Sequence, residues 1–231
     1  MSLVEFKNVC KSFDKKQILK DVSFTIESGK IVGLLGKNGM GKTTILKLLN
    51  DLLTPTSGEI LVNGKNIGIE SKKTISFLPE RSYLDKKMTI KQVFNYFCDF
   101  YEDFNLLKAK KLLSDLNLNE EDRINKMSKG MIEKLQLILV MSREVGLYVL
   151  DEPLGGVDPA TRAYIIDTIL ANLNDGASMI ISTHLVNDIE RILDHVIFIN
   201  NGEIVLSEEA DQLRDKHNDS IENIFREMFK C

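Results

Sequence analysis

The sequence predicts an α/β fold, preceded by an antiparallel β ribbon and interrupted by an inserted α-helical subdomain. Strand-like apolar runs alternate with helical stretches at both ends of the chain, the pattern of a sheet covered by helices. The middle, roughly residues 80 to 145, reads as helix instead. At the N-terminal end, Val4, Phe6 and Val9, then Ile18, Val22, Phe24 and Ile26, alternate about the turn-forming Asp14-Lys15-Lys16, which is the ribbon. Lys30-Ile31-Val32-Gly33-Leu34-Leu35 suits a strand buried on both faces, and a glycine-rich loop leads from it into a helix from Lys42 to about Leu53. Gly58–Val62 is a strand entering the Asn63-Gly64 turn, and Thr74–Leu78 is another short strand. Thr89-x-x-Gln92 is a capping box opening a helical pattern that continues to about Leu118. A helix from about Ser128 to Arg143 comes next. The alternation then resumes: strand Leu147–Leu150, helix from Pro159, strand Ser178–Ser182, helix Leu185–Leu193, strand Val196–Ile199, and Asn201-Gly202 turning into Glu203–Leu206. Ile221, Ile224, Phe225, Met228 and Phe229 share one face of a last helix. The expected organisation is a single domain over 1–231, with about 1–79 and 146–231 as core plus β subdomain and about 80–145 as the helical subdomain.

Composition narrows the function classes. The 231 residues are 43% apolar and 28% charged, values of a globular chain with ample material for a core. The net charge of −4 offers no basic face for nucleic acid. No apolar run reaches the ~18 residues of a membrane span, and the first residues do not read as a secretory signal. Cys10, Cys98 and Cys231 have neither metal spacing nor a disulfide framework, which fits a reducing cytosol.

Gly36-Lys37-Asn38-Gly39-Met40-Gly41-Lys42-Thr43 fits G-x-x-x-x-G-K-[ST], between a buried strand and a helix. Glycines let backbone N–H groups curl around phosphate oxygens, and the adjoining helix N-terminus adds positive potential. Lys42 reaches terminal phosphates and the Thr43 hydroxyl can ligate Mg²⁺. The fold class is thus sharpened to a P-loop NTPase core. Leu147–Leu150 delivers Asp151 and Glu152 at its end, where α/β sheets place ligand contacts. Asp151 suits the Mg²⁺ shell, and Glu152 suits a group that orients and polarises an attacking water.

These residues, together with the order of the motifs along the rest of the chain, resemble the ATP-binding subunits of ABC transporters over essentially the whole length. The most specific signal is Met127-Ser128-Lys129-Gly130-Met131, about 20 residues before Asp151-Glu152, where the family carries its LSGGQ signature. Ser128 and Gly130 match, while Lys129 and Met131 depart. Read alone, the segment is an N-capped helix. The resemblance implies that it caps the γ-phosphate of an ATP held by the opposite subunit, and Met131 lacks the side-chain donor that Gln offers. The resemblance also implies that Phe13 stacks on adenine, although a core Phe fits the ribbon equally. Phe77-Leu78-Pro79-Glu80 matches the loop joining core and helical subdomain, with Glu80 where Gln is commonest, still able to bind Mg²⁺ or its water. Gly155-Gly156-Val157-Asp158 matches the D-loop, and Asp158-Pro159 also fits a helix cap. His184 matches the switch histidine, which touches γ-phosphate and attacking water; His195 and His217 match nothing. The implied composite site takes Gly36–Thr44, including Thr44, with Glu80, Asp151, Glu152 and His184 from one subunit, and Ser128–Met131 with Asp158 from the other. The implied activity is Mg²⁺-dependent ATP hydrolysis, with ATP and Mg²⁺ as cofactors.

The expected partners are a separately encoded transmembrane permease and a second ATP-binding subunit, in a homodimer or heterodimer at the inner face of the cell membrane. Leu-Pro-Glu and Ser-Lys-Gly-Met resemble the bacterial exporter-type group, associated with drugs, peptides or polysaccharides. A soluble assembly ATPase is the competing class. A nucleotide-binding regulator without hydrolysis is opposed by Glu152 and His184. Val93, Phe94, Tyr96, Phe97, Phe100, Tyr101 and Phe104 are more aromatic and apolar mass than one core-facing stripe buries. Part of that helix is expected to be exposed for docking.

Overall fold

The computed structural model describes residues 2–155 and 158–229. Strands β1 (Ser2–Phe13), β2 (Lys16–Glu27), β4 (Ser57–Val62) and β5 (Lys65–Asn66) form an antiparallel sheet in the order β2-β1-β4-β5. Strands β3 (Ile31–Leu35), β6 (Ile75–Leu78), β7 (Leu147–Asp151), β8 (Ser178–Thr183), β9 (His195–Asn200) and β10 (Glu203–Glu209) form a second sheet ordered β10-β9-β3-β8-β7-β6. It is parallel except for the β10 edge, which pairs antiparallel with β9.

Period-two alternation decides which layer covers each face of this sheet. Leu147 and Val149 of β7 join Val32, Leu34, Ile180 and Ile197 in a cluster with Val4, Phe6, Val22 and Ile60 of the antiparallel sheet. Helix α1 (Lys42–Leu49) fills this layer through Ile45, Leu46, Leu48 and Leu49. Tyr148 and Leu150 point the other way, into a second cluster shared with most of the helices. Those helices are α3 (Ile90–Phe100), α4 (Leu106–Asp115), α5 (Lys129–Met141), α6 (Pro159–Ala171), the short α7 (Val186–Ile189), α8 (Ala210–His217) and α9 (Ile221–Met228); α2 (Ile69–Thr74) is a short exposed piece before β6.

The Thr89 capping box forms as expected: its hydroxyl accepts from the Gln92 N–H, and the Gln92 side chain accepts from the Thr89 N–H. The helical pattern does not run unbroken to Leu118. It stops at Tyr101 and restarts at Asn105, whose side chain accepts from the Lys108 N–H. The expected helix over Leu185–Leu193 narrows to α7 and one 3-10 turn, Glu190–Ile192, where Arg214 of α8 donates to the Glu190 carbonyl. Neither α2 nor α8 was expected.

Candidate active site

The ends of β3, β7 and β8 converge on one cleft of about 720 Å³. Three residues of the loop after β3, Asn38, Gly39 and Gly41, and three of the first turn of α1, Lys42, Thr43 and Thr44, line it. Two glycines are needed for steric reasons. Gly41 has φ of 110°, and a Cβ there would lie 2.7 Å from Leu19 Cδ2. A Cβ on Gly36 would lie 2.7 Å from the Ile199 carbonyl oxygen. Lys42 is 5% exposed, and its Nζ donates to the carbonyls of Gly36 at 2.7 Å and Lys37 at 3.3 Å. The same ammonium lies 3.1 Å from Glu152 Oε1. The side chains of Lys37 and Met40 turn away from the cleft. Lys37 Nζ donates to the Phe229 carbonyl at 2.7 Å, and Met40 Sδ accepts from the Asn201 N–H at 3.2 Å.

The carboxylates are held from β8. The parallel register sets Asp151 beside Ser182, whose hydroxyl donates to Asp151 Oδ1 at 2.6 Å. Thr43 Oγ1 donates to the same oxygen at 3.2 Å. Burial pushes the Asp151 carboxyl up from the usual range. The hydrogen bonds from Ser182 and Thr43 oppose that shift, and the charges of Glu80 and Glu152 add to it. Glu152 takes a left-handed backbone, φ 50°, and its N–H donates to both the carbonyl and the hydroxyl of Ser182. Its Oε2 is 3.0 Å from His184 Nδ1. Asp151 and Thr43 together offer hard oxygen donors at one point, and an arriving cation offsets the burial of the Asp151 charge. That donor set fits Mg²⁺, which takes few protein ligands and completes its shell with water and phosphate.

Phe13 is 44% exposed at the end of β1 and lines the cleft, so the core alternative does not hold. Lys11 Nζ sits 4.9 Å from its ring centroid. Glu80 lines the cleft and is exposed. Of the signature, Lys129 lines the cleft while Ser128, Gly130 and Met131 do not; Ser128 caps α5, its hydroxyl accepting from the Met131 N–H at 3.3 Å. Asp158 is exposed, and its carbonyl accepts from the Arg162 N–H; Gly156 and Val157 lie outside the described residues. Sequence reasoning gave no role to Ser182, which holds Asp151, or to Glu133 and Gln136, which line the cleft; it assigned Lys129 only within Ser128–Met131 of the opposite subunit, whereas Lys129 lines the cleft of its own. Pairing the strand ends in parallel register would have found Ser182; helix periodicity alone marks no functional face on α5.

The sequence model of the family described as "ABC transporter" matches residues 19–155. "ABC transporter ATP-binding protein YtrB" of Bacillus subtilis (strain 168) is 31% identical over 218 residues, 93% of this chain and 75% of that protein. "Nod factor export ATP-binding protein I" of Rhizobium sp. (strain N33) is 29% identical over 93% of this chain and 73% of that protein. A solved "ATP binding subunit of ABC transporter" superposes with a TM-score of 0.87 at 26% identity, over 99% of this chain and 100% of that one. Subunits of this family bind ATP, dimerise and work with transmembrane partners. The chain belongs to the ABC transporter family as an ATP-binding subunit, an ATPase coupled to transport.

Proposed function

We propose that this subunit drives export of a drug, peptide or polysaccharide from the cytoplasmic face of the cell membrane, through Mg²⁺-dependent hydrolysis at two composite sites in a head-to-tail dimer. The observation that carries the composite site is that the two signature residues matching the family, Ser128 and Gly130, stand outside the cleft of their own subunit. Ser128 is exposed, and neither it, Gly130 nor Met131 faces the cleft of its own subunit. A γ-phosphate bound in this cleft meets them only when a second subunit brings them. Export is supported by the relative named for Nod factor export.

Each residue then has a task. Asn38–Thr44 supply backbone donors to the phosphates, and Phe13 offers its exposed ring to the base. Lys42 and Glu152 lie within ion-pair distance, so the phosphates compete with the carboxylate for the Lys42 ammonium and leave Glu152 for water. Glu152 then accepts the proton of the attacking water, with His184 holding Oε2 and orienting it. Thr43 and Asp151 would hold Mg²⁺, with Glu80 reaching it through water, and the ion would supply charge neutralisation at the phosphates. Glu80→Gln should therefore alter the Mg²⁺ requirement more than the ATP affinity.

Docking to the permease is assigned to α3. Among the described residues, no helix is long and apolar enough to cross a membrane, so force must pass through a surface. Tyr96 and Phe100 are 50% and 67% exposed and stack with ring centroids 4.7 Å apart. The test is affinity purification from native membranes. A polytopic membrane protein should co-purify, and ATP should drive cargo into inside-out vesicles carrying that complex. Recovery with water-soluble partners only would favour the assembly-machine class, and outward movement would reverse the direction.

A further inference from the structure

Buried polar atoms almost always find hydrogen-bond partners, and those that do not mark places where something is missing. Among the described residues, four buried side-chain atoms lack one: Glu133 Oε2, Gln136 Nε2, Ser142 Oγ and Glu152 Oε1. Three of the four belong to residues lining the nucleotide cleft. Glu152 Oε1 at least faces Lys42 at 3.1 Å. Glu133 and Gln136 stand three residues apart on one face of α5, and neither phosphate binding, metal binding nor proton transfer as described uses them. Gln136 is 4% exposed, so bulk solvent does not reach its amide.

The packing of α5 on β6 indicates what that acceptor is. Ser76 Oγ donates to the Val140 carbonyl at 2.9 Å, which fixes the two elements against each other. Glu80 lies four extended residues beyond Ser76, about 13 Å at ~3.3 Å each. Gln136 and Glu133 lie about 6 and 10 Å back from Val140 at ~1.5 Å per residue. Leu78, Pro79 and Glu80 share the cleft with Lys129, Glu133 and Gln136, so the two segments run past each other in opposite senses. Helical side chains lean toward the helix N-terminus. That lean carries the Gln136 amide from its own level toward the level of Glu80. Asp151 Oδ1 accepts from Thr43 and Ser182, Glu152 faces Lys42 and His184, and Glu133 pairs through Oε1 with Lys129 at 3.6 Å, its Oε2 remaining an unpartnered acceptor on α5. Glu80 makes no hydrogen bond or ion pair with another described residue.

We propose that Gln136 is a positioning residue for ATP hydrolysis: with nucleotide in the cleft, its Nε2 donates a hydrogen bond to the Glu80 carboxylate and holds it at the edge beside Asp151. This rests on the placing of Glu80 at the outer Mg²⁺ shell. One helix then serves both composite sites. The first turn of α5 reaches the nucleotide of the neighbouring subunit, and its third turn, through Gln136, is tied to the nucleotide of its own.

The test is Gln136→Leu in the full chain, alone and combined with Glu80→Ala. Deleting a buried donor that has no acceptor should raise the melting midpoint of the nucleotide-free protein by about 2–4 °C. Losing a hydrogen bond to a charged acceptor should lower kcat about tenfold, with KM for ATP within about twofold. In the Glu80→Ala background the substitution should cause no further fall. An unchanged kcat, an equal fall in both backgrounds, or a lowered nucleotide-free midpoint overturns the proposal. Gln136→Met, of similar length, gives the same readouts if the leucine variant does not fold. An unaltered Mg²⁺ titration in Glu80→Gln would instead remove Glu80 from the metal shell and leave the coupling to be decided by the double-variant cycle.

Discussion

Glu152 sits at the end of β7 in a backbone conformation that ordinarily costs a non-glycine residue ~1–3 kcal/mol. Two hydrogen bonds from its N–H to Ser182 hold it there, and its carboxylate lies between Lys42 and His184. A side chain fixed by three elements is suited to accepting one proton in one direction. Glu152→Gln keeps the shape and removes the base, so ATP binding should persist while turnover falls by ~10²–10⁴. The ATP-bound dimer should accumulate on size exclusion, and turnover at the wild-type rate would deny Glu152 the role of base. Asp151 gives a prediction about stability. Its folded pKa is raised by burial, so ionisation disfavours the folded state. The favourable contribution is complete below the unfolded pKa of ~3.9 and is lost as pH rises through the raised value. Asp151→Asn removes that cost. Without nucleotide, the variant should be more resistant to urea than the wild type at pH 8, and the gap should close as pH falls toward 4. It should also lose Mg²⁺-dependent turnover. A gap that widens at low pH would reverse the sign.

Helix α3 shows how far an element can be read before its surroundings are known. Its start was legible, because Thr89 and Gln92 satisfy each other locally. Its end was not. Phe97, Tyr101 and Phe104 keep helical spacing across the break, but Tyr101 turns to cover the Arg143 guanidinium, 4.1 Å from its ring centroid. That partner is remote in sequence. The same reason hid α2 and α8: Ile69 is exposed, and only Ala210 and Leu213 of α8 are buried, so neither helix shows an apolar stripe. The phosphate loop and Asp151-Glu152 were legible because their chemistry needs fixed types at fixed spacing. Ser182 and Gln136 were not, since strand register sets Ser182 against Asp151 and helix packing brings Gln136 to the cleft. On α3 itself, Ile90, Val93, Phe94 and Phe97 face the core, while Tyr96 and Phe100 do not. Phe100→Ala should weaken assembly with the membrane subunit by ~2 kcal/mol, about thirtyfold in Kd. Basal ATPase activity should be unchanged, because Phe100 does not line the cleft. Undiminished assembly would return this face to ordinary surface.

For the molecule as a whole, the question is how the helical segment stays joined to the sheet while transmitting work. Arg143, only 5% exposed, is a principal joint. Its Nε and Nη2 donate to Asp103 at 2.9 and 2.7 Å, its Nη1 to the Ile75 carbonyl at 2.7 Å, and its Nη2 also to the Lys73 carbonyl at 3.2 Å. The Arg143 carbonyl accepts from the Tyr148 hydroxyl at 2.6 Å, and burial pushes that hydroxyl's pKa up to about 12, keeping it a neutral donor. One side chain thereby ties the turn after α3 to β6, and its backbone reaches β7. Removing one member of a buried pair strands the other, a loss of ~3–5 kcal/mol. Arg143→Ala should therefore lower the melting midpoint by about 10 °C in calorimetry. Arg143→Lys should recover little, because an ammonium cannot serve the carboxylate and two carbonyls from one planar fork. Arg143→Met combined with Asp103→Leu should lose much less than Arg143→Ala, since apolar residues can replace a buried pair at small cost. If Arg143→Lys melts at the wild-type midpoint, the fork geometry is not what joins the two regions, and apolar packing alone holds them.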